Sequence, residues 1–191
     1  MRRAGYLFLA AAALLASCGA MAASGTTRLI DDPTDWRIVN DGVMGGMSAS
    51  RVGRVGEALR FAGEVRLENS GGFASMRRPF DAAPGGEAAG FLLRVRGDGN
   101  RYRLRVYTRS AAGAENRYSH YATFDTRAGE TMSVELRWPQ FAASFRGAAV
   151  AAPPIRFADV VGIGVMITRD DHRDGHGPFA LDLLGFEPLR R

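Results

Sequence analysis

The sequence predicts an all-β sandwich on three observations. Short runs with period-two alternation recur along it, turn residues separate them, and no window after the N-terminus carries apolar residues at helical spacing. In order, the expected strands are Ala49–Val55, 58–67, 72–76, Gly90–Arg96, 102–108, 119–124, 131–138, Val160–Thr168 and 179–186. The run at 102–108 is the clearest, with Tyr102, Leu104, Val106 and Thr108 on one face and Arg103, Arg105 and Tyr107 on the other. In 131–138, Met132, Val134, Leu136 and Trp138 point inward while Ser133, Glu135 and Arg137 point out. Gly97-Asp98-Gly99-Asn100 reads as a hairpin turn, because Asp-Gly and Gly-Asn tolerate positive φ. Residues 141–157, rich in Ala, Gly and Pro, are expected to be a long crossover loop, and 168–177 a polar hairpin loop between the last two strands. Many short antiparallel strands in one domain suit a jelly-roll sandwich.

Composition narrows the function classes. Hydrophobic residues make up 46% and charged residues 24% of the 191 residues, which fits a globular domain with its own core. All 25 basic residues are arginines, interspersed with acids and never in a block, so no nucleic-acid partner is expected.

The N-terminus reads as a secretory leader. Arg2 and Arg3 precede the apolar stretch 5–17, which is too short to span a bilayer, and small residues follow it. Loss of those two arginines would lower the formal net charge from +5 to +3. The single cysteine, Cys18, ends Leu15-Ala16-Ser17-Cys18, which resembles a bacterial lipobox, in which the thiol is lipidated. A lone cysteine has no intramolecular disulfide partner, so lipidation also supplies its reason. The alternative is conventional cleavage after Ala20-Met21-Ala22, which would discard Cys18. The expected division is a leader over 1–22, a tether over 23–33 and the folded domain over 34–188. The chain is thus expected at the periplasmic face of the envelope, touching the membrane only through a lipid on Cys18.

The most specific string is Trp36-Arg37-Ile38-Val39-Asn40-Asp41-Gly42-Val43-Met44-Gly45-Gly46-Met47-Ser48. With Leu67-Glu68-Asn69-Ser70-Gly71-Gly72-Phe73, Arg94-Val95-Arg96-Gly97-Asp98-Gly99, Phe145-Arg146-Gly147, Gly162-Ile163-Gly164 and Gly177-Pro178-Phe179-Ala180-Leu181-Asp182, it resembles the complex I intermediate-associated protein family from Trp36 to Phe186. The resemblance implies a galactose-binding-like jelly roll. It also implies a non-enzymatic role in protein binding or complex assembly, as the mitochondrial members have for respiratory complex I. The leader, however, would place this chain across the membrane from the cytosolic arm of that complex.

No catalytic residues are assigned. Nucleophilic catalysis needs a Ser or Cys beside an oriented His, and the only cysteine lies in the leader. His120 falls in a strand. His172 and His176, with Asp170, Asp171 and Asp174, could be read as metal ligands, but Gly175 and Gly177 oppose the helix that a spacing of four would need. No metal and no cofactor are therefore expected. The candidate binding residues are Asn40, Asp41, Asn69, Arg96 and Asp98, which sit in loops beside glycines and are expected to form one polar patch for a protein partner. The rival reading gives Asn and Asp only their own turns. A second function, glycan binding, would use Tyr107, Tyr118 and Tyr121 as a platform, and a glycan-active enzyme ranks third. Trp36 is expected to anchor the core.

Overall fold

A computed structural model describes residues 30, 32–82 and 86–190. The leader and Cys18 lie outside the described residues. Among those described are twelve strands: β1 (Arg37–Ile38), β2 (Ala49–Val55), β3 (Ala58–Val65), β4 (Phe73–Pro79), β5 (Gly90–Arg96), β6 (Arg101–Thr108), β7 (Ser119–Asp125), β8 (Thr131–Arg137), β9 (Ala142–Phe145), β10 (Ala148–Ala149), β11 (Val160–Thr168) and β12 (Gly177–Leu189). They build a seven-stranded sheet in the order β1-β4-β11-β6-β7-β9-β10 and a five-stranded sheet in the order β2-β3-β12-β5-β8. Every ladder is antiparallel. Among the described residues no helix is long and apolar enough to cross a membrane.

Alternation places the core between the sheets. Tyr102, Leu104 and Val106 of β6, Ile163, Val165 and Ile167 of β11, Phe91, Leu93 and Val95 of β5, and Leu181 and Leu183 of β12 are all buried. Each such side chain contributes about 1.5–3 kcal/mol when fully withdrawn from water. Aromatic edges close one end, where Phe91 meets Phe186 at 5.1 Å, Trp138 at 5.6 Å and Phe80 at 5.7 Å. Ile30, inside the expected tether, is buried in the core, so the folded part begins earlier than Thr34.

Three local expectations are corrected. Gly97–Asn100 is not a hairpin turn, since β5 and β6 belong to different sheets. The segment 169–176 likewise carries the chain from β11 in one sheet to β12 in the other. The same turn chemistry serves a crossover, because positive φ at Gly99 reverses the chain whichever sheet it enters next. The 141–157 stretch is not all loop: β9 pairs with β7, and β10 with β9, which extends the edge of the seven-stranded sheet.

These crossings gather segments 39–48, 66–72, 97–100, 126–130 and 169–176 at the end opposite the aromatic cluster. Asn100 ties three of them together. Its backbone carbonyl accepts from Thr126 N at 3.1 Å and Thr126 Oγ1 at 2.7 Å, and its Oδ1 accepts from Arg173 N at 2.9 Å.

Trp36 is buried in the core, with the Arg78 guanidinium 5.9 Å from its ring centre. Its Nε1 makes no hydrogen bond, so its worth lies in packing. Trp36→Ala should cost about 3–5 kcal/mol in thermal or denaturant unfolding, and Trp36→Phe distinctly less. An unchanged Trp36→Ala midpoint would contradict the anchor role.

Candidate functional site

Within the distinctive string, residues 40–48 form a loop whose polar side chains, Asn40, Asp41 and Ser48, turn inward. A 3-10 turn over Asp41–Met44 brings Asp41 beneath it, fully buried. Asp41 Oδ1 accepts from Ser48 N at 2.9 Å. Its Oδ2 accepts from Ser48 Oγ at 2.5 Å, Gly72 N at 2.7 Å and Phe73 N at 3.1 Å. The carboxylate thus closes its own loop and holds it to the start of β4.

The glycine pairs follow from that carboxylate. A Cβ on Gly46 would stand 2.5 Å from Asp41 Cγ, and one on Gly71 would stand 2.8 Å from Asp41 Oδ2 and from the Arg66 carbonyl. Only backbone without a side chain can pack so closely around the acid. Asn40 adds a second layer. Its Oδ1 accepts from Ser50 Oγ at 2.8 Å and Ser75 N at 3.2 Å, while its Nδ2 donates to the Ser48 carbonyl at 3.4 Å. Asn69, in the left-handed region at φ 55, donates through Nδ2 to the Gly45 carbonyl at 3.2 Å.

With the polar groups occupied inward, the loop presents its apolar side chains to solvent. Val43, Met44 and Met47 are 73%, 64% and 49% exposed, and Leu67 on the neighbouring turn is 43% exposed. Six large apolar side chains are exposed among the described residues, and four of them stand on these two linked turns.

The five candidate residues lie at one end of the sandwich but form three separate hydrogen-bonded groups. Asn40, Asp41 and Asn69 hold the 40–48 loop. Asp98 accepts from Asn100 N at 3.0 Å, Asn100 Nδ2 at 2.9 Å, Tyr102 Oη at 3.0 Å and Ala180 N at 2.7 Å. Burial and the Asp98 charge push the Tyr102 phenol far above its ordinary pKa. Arg96 pairs with neither Asp41 nor Asp98. It shares the buried Asp182 with Arg60, at 2.7 and 2.6 Å. The rival reading thus describes Asp98 in part, because one oxygen makes an Asx turn with Asn100 and the other reaches β12.

Sequence reading missed Asp182, Arg60 and Asn100. A carboxylate between Leu181 and Leu183, in an otherwise apolar run, was the available signal for Asp182. The histidine loop is knit in the same way. Asp171 pairs with Arg103 at 2.6 Å and accepts from Thr168 Oγ1 at 2.5 Å. His172 Nδ1 accepts from Asp174 N at 3.1 Å, and its Nε2 lies 3.1 Å from the Pro178 carbonyl. Among the described residues no group of three His, Cys, Asp or Glu is placed to hold a metal.

The tyrosines do not form one platform. Tyr107 and Tyr121 face outward from the seven-stranded sheet, but Tyr107 is buried under the Arg77 guanidinium, 3.6 Å from its ring centre. Tyr121 is half-buried beside Arg103 at 5.0 Å. Tyr118 turns to the other side and packs on His120, 5.5 Å between ring centres.

The two antiparallel sheets, with five crossover loops gathered at one end, make the fold a jelly-roll sandwich. The chain matches the Complex I intermediate-associated protein 30 (CIA30) family over residues 26–183, and it belongs to that family. No curated protein matches it. Among solved structures it is similar to the family 11 carbohydrate-binding module of the cellulosomal cellulase Lic26A-Cel5E of Clostridium thermocellum. Identity there is 12% and the TM-score 0.58, over 86% of this chain and 95% of that one. A family 11 module from the same organism, in complex with a β-1,3-1,4-mixed-linked tetrasaccharide, gives 12% identity and a TM-score of 0.57, over 84% and 94%. The agarase AgWH50C gives 14% and 0.52, over 86% of this chain and 24% of that enzyme. At such identities the likeness is one of fold.

Two buried carboxylates contribute to the acid behaviour. Burial opposes the charge on Asp41, but its hydrogen bonds from Ser48, Gly72 and Phe73 outweigh it and hold the pKa below the ordinary 3.8. Asp182 is lowered chiefly by the Arg60 hydrogen bond, against burial and with help from Arg96. Depressed folded-state values stabilise the fold above the unfolded pKa, and that contribution disappears as pH falls through them. The melting temperature should therefore hold steady from neutral pH to about 5 and drop below about 4. Asp182→Asn should flatten that acid slope. Asp41→Ala leaves three buried N–H groups without an acceptor and should cost more than about 3 kcal/mol. Thermal scans across pH check both, and an Asp41→Ala chain of native stability would remove Asp41 from this role.

Proposed function

We propose that this chain is a non-catalytic binding module that holds a protein partner on the apolar tip of its 40–48 loop. In this reading it acts as an assembly-type factor of the cell envelope, tethered through a lipid on Cys18. The observation that carries the reading is the inverted loop, with Asn40, Asp41 and Ser48 turned inward and Val43, Met44 and Met47 turned out. Apolar surface transferred from water on contact is worth roughly 25 cal/mol per Å². Methionine side chains adapt to irregular partner surfaces. The Asp41 and Asn69 bonds hold the tip in place before contact, which lowers the ordering cost of association. Membership in the CIA30 family agrees with such a role, and the Arg2-Arg3 leader with Leu15-Ala16-Ser17-Cys18 supports export and anchoring.

A second reading, carbohydrate binding, draws on the likeness in fold to carbohydrate-binding modules and on Tyr121, half-buried beside Arg103 on the outward sheet face. Of the acids inside the family motifs that a glycan-active enzyme could use, Asp41 and Asp98 are engaged by the fold and Glu68 pairs with Arg66 at 2.7 Å. Asp41, Asp98, Asp171 and Asp182 all accept hydrogen bonds from the fold itself.

Replacing Val43 and Met44 together by Asp tests the tip. Both side chains are exposed, so stability should change by no more than about 0.5 kcal/mol. Recovery of a protein partner from envelope extract should fall at least tenfold, to the level of a blank matrix, on the order of 1.4 kcal/mol or more. Equal recovery by both forms would reject the tip, and a glycan-array signal untouched by the substitutions would favour the second reading. The intact mass of the mature N-terminus decides the anchor. A lipid-modified chain beginning at Cys18 is expected, and an unmodified chain beginning at Ala23 or Ser24 would sink it.

A further inference from the structure

We propose a second site, at the far end of the sandwich from the 40–48 loop, that takes an uncharged ring bearing a hydroxyl group. His120 lies in β7 opposite Val106 of β6 and Ala143 of β9. It shares its face with Ala122 and Phe124, so its ring points to the inner side of the seven-stranded sheet. There, segments 138–141 and 150–155 cover a cleft of about 570 Å³, lined by Trp138, Phe141, Val150, Pro153, Pro154 and Ile155 together with His120 and Ala143. A volume of this order suits a small-molecule site.

The imidazole makes this more than an apolar hollow. His120 is 5% exposed, and neither ring nitrogen has a hydrogen-bond partner. The Pro153 carbonyl lies near enough to favour the protonated ring slightly, but not in hydrogen-bonding geometry. Burial dominates and lowers the His120 pKa, so the ring is neutral and offers one N–H donor and one bare acceptor. Leaving both unsatisfied in a buried site costs free energy, and a ligand hydroxyl, able to donate to the bare nitrogen or to accept from the N–H, would recover the share of whichever nitrogen it meets.

The rest of the lining selects the body of the ligand. Besides His120 no lining residue is ionisable, so nothing there compensates the desolvation of an ion. Trp138 and Phe141, with ring centres 5.5 Å apart, offer aromatic surface to a flat or saturated ring. A phenol and a pyranose share the required chemistry of an apolar face and a hydroxyl.

The test uses the purified chain with four probes followed by ligand-observed NMR and calorimetry. These are p-cresol and methyl β-D-glucopyranoside, with toluene lacking the hydroxyl and benzoate carrying a charge. At least one hydroxylated probe should bind, and toluene and benzoate should bind about 5-fold more weakly or worse. Binding by p-cresol alone assigns a phenolic ligand, and binding by the glucoside alone a sugar. His120→Phe should keep the volume and erase the preference for the hydroxyl. Ala143→Leu, which fills the cleft from β9 and leaves His120 in place, should abolish binding even if His120→Phe fails to fold. The proposal is overturned if neither hydroxylated probe binds at about 10 mM, if toluene binds as well as p-cresol, or if Ala143→Leu binds as the natural chain does.

Discussion

The end of the sandwich that carries the 40–48 loop depends on a single buried carboxylate. Backbone N–H groups at Ser48, Gly72 and Phe73 leave the ladders there and have no strand partner to receive them. A buried donor without an acceptor costs about 1–3 kcal/mol, so three of them would undo the local fold. Asp41 receives all three, together with the Ser48 hydroxyl, and four donors are enough to keep its charge favourable despite burial. The requirement then propagates along the chain. Gly46 and Gly71 must lack side chains because the acid occupies the space, and Ser48 must carry a hydroxyl because Arg66 N donates to it at 2.9 Å.

Other acids repeat the same solution, two at the crossovers and one within β12. Asp98 ties β6 to β12 across the two sheets, Asp171 ties β11 to Arg103, and Asp182 bridges Arg60 and Arg96 on the five-stranded sheet. A sandwich whose chain changes sheet so often breaks its ladders repeatedly at one end, and carboxylates are the side chains that accept several hydrogen bonds at once. The opposite end is closed by aromatic packing around Phe91. The two ends therefore solve one problem by different physics. At the aromatic end a cleft meets buried ring nitrogens without hydrogen-bond partners, at His120.

This division explains what could be read without coordinates. Alternation located nine strands, because a half-buried strand must alternate whichever neighbour it takes. The partner is another matter. Gly97-Asp98-Gly99-Asn100 encodes a reversal of direction and carries no information on which sheet receives β6, so a crossover read as a hairpin. β9 and β10 escaped because Ala142, Ala143, Ala148 and Ala149 have weak strand preference and little to alternate. At the loop, Asn40, Asp41 and Asn69 were legible as special because they stand beside glycines. Their task was not, since two of the four donors to Asp41 come from residues about thirty positions away. Arg96 was placed near the right end with the wrong acid, for its partner lies on a strand joined to it only by sheet register.

A loop left to its own preferences would turn Val and Met inward and leave Asn and Asp in water. The 40–48 loop does the reverse because backbone satisfaction claims its polar side chains first. Once Asn40, Asp41 and Ser48 are committed beneath the turn, the 3-10 geometry of Asp41–Met44 leaves Val43 and Met44 no direction but outward. Those side chains then contribute nothing to the core, and their surface stays hydrated in the free chain. A contact that covered them would gain hydrophobic free energy without first ordering the backbone beneath, since the Asp41 bonds have already met that cost during folding. The acid at the centre of the loop thus acts twice. It stabilises the sandwich end, and it fastens the backbone beneath the exposed apolar tip to the start of β4.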